Sequence, residues 1–132
     1  AEEMQRNPSK QTLPKAPYND IKRAILGARY DLSFGAVTPD RAKKLNKKYR
    51  NKSYVPDVLA FPLSENEGEI VFNLQALTRE AKLRRVPLAA YIAYMFIHAC
   101  LHLKGHDHGA GMTKKEALYL KKFGLKDTFP VL

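Results

Sequence analysis

The chain has 132 residues, of which 45% are hydrophobic and 10% aromatic, which is enough for one domain with its own core. Lys and Arg outnumber Asp and Glu by 23 to 13, and the net charge of +10 suggests a polyanionic partner, with a solvated basic surface as the alternative. A single cysteine excludes an internal disulfide framework and fits a reducing compartment. No secretory signal is visible at the N-terminus, and the apolar run at 91–103 is too short for the roughly 20 residues of a membrane span. We therefore expect a cytoplasmic protein without a membrane partner, with an organellar location as the alternative.

The first part of the chain predicts an arm, a helix and a strand. Residues 1–17 are polar and contain three prolines, which indicates an irregular arm ahead of a single domain over 18–132. Apolar residues at helical spacing predict a helix over 18–26 that ends at Gly27. Alternating apolar and polar residues over 30–36 predict a half-buried strand.

A second helix is predicted to begin at Thr38, because Thr is a good N-cap and Pro39 suits the first turn. The helix should run to about Tyr49, with Ala42, Leu45 and Tyr49 facing inward and the lysines outward.

The remaining elements are two strands and three helices. Strands are predicted over 57–61, closed by Pro62, and over 69–72. Helices are predicted over 74–85, from Pro87 through the histidines, and from a capping box at 113–116 to Gly124. Short strands grouped early among helices predict an α+β domain with a small mixed β-sheet packed against four to five helices.

All four histidines lie within eleven positions, at His98, His102, His106 and His108. A helix places residues i and i+4 on the same face, so His98 and His102 can hold one metal ion from a rigid support. Gly105 allows the chain to leave the helix and bring His106 or His108 back as a third ligand. Three nitrogen ligands with one open position are typical of a catalytic zinc. The alternative is a set of ordinary polar residues, although imidazoles on an apolar helix are costly without partners.

Two residues between the first two histidines, Cys100 and Ala99, are not expected to take part in the chemistry. Cys100 lies about 200° around the helix from each of them, so we expect it to pack in the core. Ala99 takes the position that Glu, the general base, has in the metalloprotease pattern His-Glu-x-x-His. A zinc ion lowers the pKa of its bound water to about 7, so it can supply most of the activation without that Glu.

Residues in three blocks, at 45–62, 68–70 and 98–108, together resemble the YbeY family of metal-dependent endoribonucleases. The family's hallmark, commonly His-Gly-x-Leu-His-Leu-x-Gly-Tyr-Asp-His, is matched by His98-Ala99-Cys100-Leu101-His102-Leu103-Lys104-Gly105-His106-Asp107-His108. The family's Leu-Asn-x-x-Tyr-Arg and Thr-Asn-Val-Leu-Ser-Phe-Pro are matched by Leu45-Asn46-Lys47-Lys48-Tyr49-Arg50 and Pro56-Asp57-Val58-Leu59-Ala60-Phe61-Pro62. Its Gly-Asp-Ile is matched by Gly68-Glu69-Ile70. The departures are Ala99 for glycine, His106 for tyrosine, Glu69 for aspartate, Asp57 for asparagine and Ala60 for serine.

The resemblance implies which residues carry the chemistry. It assigns His98, His102 and His108 as metal ligands and catalytic residues, leaving His106 as the spare. It also gives a functional role to Arg50, which we expect to be a catalytic residue that binds an RNA phosphate, with one exposed charge among 23 as the alternative. The expected cofactor is one Zn²⁺ per chain, with Ni²⁺ or another divalent metal as the alternative. The site is expected on a central buried helix and the turn after it.

The resemblance also implies a substrate and partners. These are single-stranded ribosomal RNA, cleaved at the 3′ end of 16S-type RNA, and the small ribosomal subunit with its assembly factors, in maturation and ribosome quality control. One alternative is a non-catalytic, metal-stabilised ribosome-assembly factor. Another is a metallohydrolase for a small or peptide substrate, against which the net charge and the missing Glu both count.

Several residues near these blocks have more than one interpretation. Asp107 orients a ligand imidazole or caps the turn after Gly105, and His106 contacts RNA, donates a proton or is an exposed bystander. Lys104 is expected beside the ligands or the substrate. Two clusters of lysines either follow the RNA backbone or form plain solvated faces, namely Lys43, Lys44, Lys47 and Lys48, and Lys114, Lys115, Lys121 and Lys122. Among them, RNA binding is expected of Lys47, Lys48, Lys114 and Lys115.

Overall fold

A computed structural model describes residues 13–105, 110–125 and 128. These residues form five helices and three strands in the order α1 (Tyr18–Leu26), β1 (Asp31–Val37), α2 (Pro39–Arg50), β2 (Val58–Ser64), β3 (Glu67–Asn73), α3 (Leu74–Arg84), α4 (Leu88–Lys104) and α5 (Ala110–Lys122). The predicted α+β class is therefore confirmed. The predicted N-terminal arm lies largely outside the described residues.

The sheet is mixed, with β3 between the other two strands. Strand β1 pairs with β3 in parallel, with Phe34 opposite Ile70, and β2 pairs with it antiparallel, with Leu59 opposite Val71. Successive side chains of β3 point to opposite faces. Val71 packs in one apolar cluster with α2, whereas Ile70 and Phe72 pack in the other with α4. Both faces of the sheet are thus covered by helices.

Helix α4 runs through the centre of the larger core, since Ile92, Phe96 and Ile97 have no exposed surface. The Phe96 ring meets Tyr18 of α1 and Phe34 of β1 edge-on, with centroids 5.2 and 5.0 Å away. A helix that is apolar around most of its circumference is expected in the interior. Packing on several sides holds its backbone rigidly, so side chains at its C-terminal end have a firm support.

Local sequence signals predicted several helix ends correctly. The Thr38 hydroxyl oxygen accepts the Arg41 backbone N–H at 3.2 Å, as an N-cap does. Gly27 ends α1 at a φ of 95°, and Gly105 ends α4 at a φ of 103°. Both lie in the left-handed region that glycine adopts without steric cost.

Two predictions in the α2–β2 region were wrong. Tyr49 is not buried: it is 42% exposed, and its ring covers the buried Phe61 of the edge strand from outside, with ring centroids 4.3 Å apart. Pro62 does not close β2, which continues to Ser64. An edge strand pairs on one side only, so it tolerates a residue without a backbone N–H. The pairing register shifts after Pro62.

The predicted capping box at 113–116 was also wrong. Helix α5 begins at Ala110, so Thr113 lies inside the helix, where it cannot act as an N-cap. Met112 is 2% exposed and packs into the larger core, which ties the earlier turn to the rest of the domain. Glu116 reaches a side chain of α4 instead of a helix end.

In the described part of the chain, no single helix has both the length and the apolar composition needed to cross a membrane. Helices α3 and α4 pass that test only when taken together, and they meet at a bend of 114°.

Candidate active site

Helix α4 brings His98 and His102 together on one face. Their Nε2 atoms are 3.1 Å apart, and the rings are inclined at 77° with centroids 4.7 Å apart. Two nitrogens bound to one tetrahedral zinc at roughly 2.0–2.1 Å would lie about 3.3 Å apart. The two imidazoles therefore fit two corners of a single metal site.

The second nitrogen of His98 faces helix α5. Its Nδ1 is 3.2 Å from Glu116 Oε1, and the side chains of His98 and Glu116 are 21% and 10% exposed. Tyr94, one turn before His98, hydrogen-bonds the same carboxylate. Burial, reinforced by the negative charge of Glu116 and by this hydrogen bond, raises the pKa of Tyr94 to about 12. A Tyr–Glu–His contact around the buried carboxylate of Glu116 thus links the two helices.

Glu116 was not predicted as a site residue, because the sequence suggested that it closes a capping box. A signal was nevertheless present. Met112, Glu116 and Leu120 are four apart on α5 and all are buried, so Glu116 is an acid in the middle of an apolar stripe. A buried carboxylate in such a position is expected to have a specific partner.

An open cleft of about 640 Å³ borders the two histidines. Its walls include Arg50 at the end of α2, Tyr54 in the following loop, and Ala60 of the edge strand, facing His98 and His102 of α4. The cleft therefore collects a guanidinium, an aromatic ring and two imidazoles from separate parts of the chain. Arg50, proposed from the resemblance, shares the cleft with the two histidines.

Two buried asparagines fix the loop that forms one wall of the cleft. Asn46, with no exposed surface, donates from Nδ2 to the Tyr54 carbonyl at 3.0 Å. Asn73, 3% exposed, donates from Nδ2 to the Pro56 carbonyl at 3.2 Å. The Tyr54 side chain is nevertheless 53% exposed. A fixed backbone thus presents an aromatic ring to solvent at the cleft, a feature that the sequence alone did not reveal.

The predicted basic residues lie on exposed surfaces. Lys47 donates to Asn51 Oδ1 at 3.0 Å, and the Lys48 ammonium lies 5.1 Å from the Tyr49 ring centroid. Lys104, Lys114 and Lys115 are exposed at the end of α4 and on α5. None of these lysines is among the described residues that line the cleft, so their contact with RNA stays a prediction.

The remaining predicted site residues, His106, Asp107 and His108, lie outside the described residues. Within 13–105, 110–125 and 128, no group of three or more His, Cys, Asp or Glu side chains could hold a metal ion. Cys100, as expected, is a core residue: it has no exposed surface, and burial raises the pKa of its thiol. Ala99 lines the cleft and is 1% exposed.

Comparison with known proteins places this chain in a family. Residues 3–125 match the family model described as Endoribonuclease YbeY. The chain is 36% identical over 103 residues to an Endoribonuclease YbeY of Thiobacillus denitrificans, covering 70% of each protein. It is 32% identical over 130 residues to that of Paraburkholderia phymatum, covering 91% of this chain and 85% of the relative.

One solved structure has a similar fold. The solution structure of TM1509 from Thermotoga maritima superposes with a TM-score of 0.58 at 25% identity. The match covers 85% of this chain and 78% of that one. This chain belongs to the family of YbeY endoribonucleases.

Proposed function

We propose that this chain is a zinc-dependent endoribonuclease that cuts single-stranded RNA and acts in ribosomal RNA maturation and ribosome quality control. The observation that carries the proposal is the pair of imidazole nitrogens 3.1 Å apart beside a cleft that also contains Arg50. The names of the relatives support a ribonuclease, and the net charge of +10 suits a polyanionic substrate.

Three imidazoles would hold the metal in this proposal. His98 and His102 supply two nitrogens from a rigid helix, and His108, at the matching position of the family motif, would supply the third. A zinc ion held there would act as a Lewis acid on a phosphoryl oxygen and make water acidic enough to attack at neutral pH. Nickel or another divalent ion suits the same donors.

Arg50 would bind the scissile phosphate. Its guanidinium stays protonated, so it cannot be a base, but its planar fork can donate two hydrogen bonds to phosphate oxygens. Charge that develops on those oxygens in the transition state would be stabilised in the same way. The exposed position of Arg50 at the end of α2, on a cleft wall, leaves room for a phosphate beside it.

The rest of the RNA would lie along α2. Lys47 and Lys48 are exposed in the last turns of the helix that ends at Arg50, so they can follow the backbone on either side of the cut phosphate. A single strand fits an open cleft because its bases are free to turn outward. The proposed site of action is the 3′ end of small-subunit ribosomal RNA, on or near the subunit and its assembly factors.

The test is cleavage of a short single-stranded RNA and of its duplex by the purified protein, before and after chelation and with zinc restored. We expect cleavage of the single strand only, lost on chelation and recovered with zinc. Arg50→Ala should cut slowly while keeping its metal. Arg79→Ala, which removes an exposed arginine of α3 outside the cleft, is the matched control and should cut normally.

Cleavage that persists in metal-free protein would refute the proposal. Complementation in cells by an Arg50→Ala variant that keeps its metal and cuts nothing would favour the non-catalytic assembly role instead. The product ends give the nucleophile: a 2′,3′-cyclic phosphate indicates the RNA 2′-hydroxyl, and a plain phosphate indicates water.

A further inference from the structure

Helix α5 places a carboxylate where packing alone favours an apolar residue. Glu116 lies between Met112 and Leu120 on the buried stripe of α5 and is only 8% exposed. A buried carboxylate is costly unless it is paired or hydrogen-bonded. Glu116 meets this requirement with two residues one turn apart on α4, Tyr94 and His98.

The contact with His98 selects one form of the imidazole ring. A neutral imidazole has a proton on one ring nitrogen and a lone pair on the other. The hydrogen-bond partner of either nitrogen decides which of them carries the proton. The carboxylate oxygen 3.2 Å from Nδ1 accepts a hydrogen bond, so it favours the proton on Nδ1. The lone pair then lies on Nε2, the nitrogen directed at His102.

We propose that Glu116 is a positioning residue that holds His98 in the Nδ1–H form, with Nε2 presented as the metal-binding atom. The inference rests on the proposed metal site at His98 and His102, and it extends that site to a residue of a different helix. A carboxylate behind a ligand imidazole fixes its tautomer and orientation and makes it a stronger donor.

Tyr94 provides the second contact to the carboxylate. Its hydroxyl donates to Glu116, because the phenol stays protonated at neutral pH and the carboxylate can only accept. Since Tyr94 and His98 are on the same helix, the carboxylate is held against a single rigid surface. Tyr94→Phe removes the hydroxyl that donates to Glu116 but leaves the carboxylate and its charge in place. It should therefore change the His98 tautomer and the zinc affinity less than a substitution of Glu116 does.

The first measurement needs no metal. Long-range nitrogen–proton NMR spectra of the metal-free protein report the tautomer of each histidine, and a His98→Ala variant identifies the His98 signals. We expect the Nδ1–H form of His98 in the wild type. We expect a shift toward the Nε2–H form in Glu116→Leu. Glu80→Gln is the control and should show the same His98 tautomer as the wild type. Glu80 is an acid of α3 whose carboxylate pairs with Arg84, 2.9 Å away.

The second measurement is zinc affinity by competition with a chelator of known affinity. Glu116→Leu should bind zinc about 10–100-fold more weakly than the wild type. Glu116→Gln should lie between them, because the amide keeps the shape and can accept the hydrogen bond without the charge. Should Glu116→Leu fail to fold, as judged by circular dichroism, Glu116→Gln supplies both measurements.

Two results would overturn the inference: an Nε2–H form at His98 in the metal-free wild type, or zinc affinities of Glu116→Leu and Glu116→Gln equal to that of the wild type. The proposed function fails in a different way, namely if the wild type binds no zinc or cuts RNA without it. In that case the tautomer measurement still decides what Glu116 does.

Discussion

Gly68 in the central strand offers a sharp test of how β3 packs against β1 and the end of α4. A Cβ added at Gly68 would overlap the Tyr30 hydroxyl and come within 3.1 and 3.3 Å of the two terminal methyl carbons of Leu103. Tyr30 is 8% exposed, so its ring has little room to move. Gly68→Ala should therefore destabilise the fold.

The cost can be estimated from the packing. Forcing one extra carbon into a well-packed site costs about 1–3 kcal/mol. At roughly 2.1 cal/mol/K per residue, the unfolding entropy of a 132-residue chain is about 0.28 kcal/mol/K. The Tm of Gly68→Ala should thus fall by about 4–11 °C, measured by differential scanning calorimetry.

A second substitution separates the overlap from other effects. The Tyr30 hydroxyl is buried and has no hydrogen-bond partner within the described part of the chain. Tyr30→Phe should therefore be close to neutral, and the double variant should recover most of the stability lost in Gly68→Ala. Gly111→Ala, with open space around its Cα, is the matched control and should be neutral or stabilising. An unchanged Tm in Gly68→Ala, or no recovery in the double variant, would refute the reasoning.

Three further predictions follow from local contacts. Thr38→Ala should lower the free energy of unfolding by about 1 kcal/mol in urea titrations, because it removes the cap on the Arg41 N–H; an unchanged midpoint would contradict this. Cys100, fully buried with a raised thiol pKa, should react with thiol reagents only after unfolding, and fast labelling of the native protein would show this to be wrong. Burial raises the pKa of Tyr18 from 10.0 to about 12, so this residue contributes stability that is present below pH 10 and lost as pH rises toward 12. The alkaline loss of stability should be smaller in Tyr18→Phe, and an equal loss would count against the assignment.

Local signals predicted the helices that position the site. The cap at Thr38 and the glycines at 27 and 105 act within a few residues of their own position, so the sequence shows them directly. The apolar run over 91–103 is long enough to require burial, and α4 is indeed the centre of the core. Spacing of four placed His98 and His102 on one face, where the structure has them.

The errors come from contacts between distant segments. Tyr49 was expected inside because helical spacing put it there, but its ring covers the buried Phe61 of the neighbouring edge strand from outside, and the residue stays 42% exposed. Glu116 follows Thr113 by three residues, which is the spacing of a capping box, yet its partner is 18 positions away on another helix. Such pairings depend on how helices pack, which local spacing does not determine. Arg50 illustrates the same point, since only the fold brings the end of α2 to the cleft beside α4.

The central claim is that the α4 histidines hold a metal ion on which RNA cleavage depends. The most direct test measures zinc content and cleavage of a short RNA in the same preparation, for the wild type and for His102→Ala. We predict one zinc per chain with cleavage in the wild type, and loss of both in His102→Ala with the fold retained. A His102→Ala protein that keeps its full zinc content, or that cuts RNA as fast as the wild type, would contradict the account.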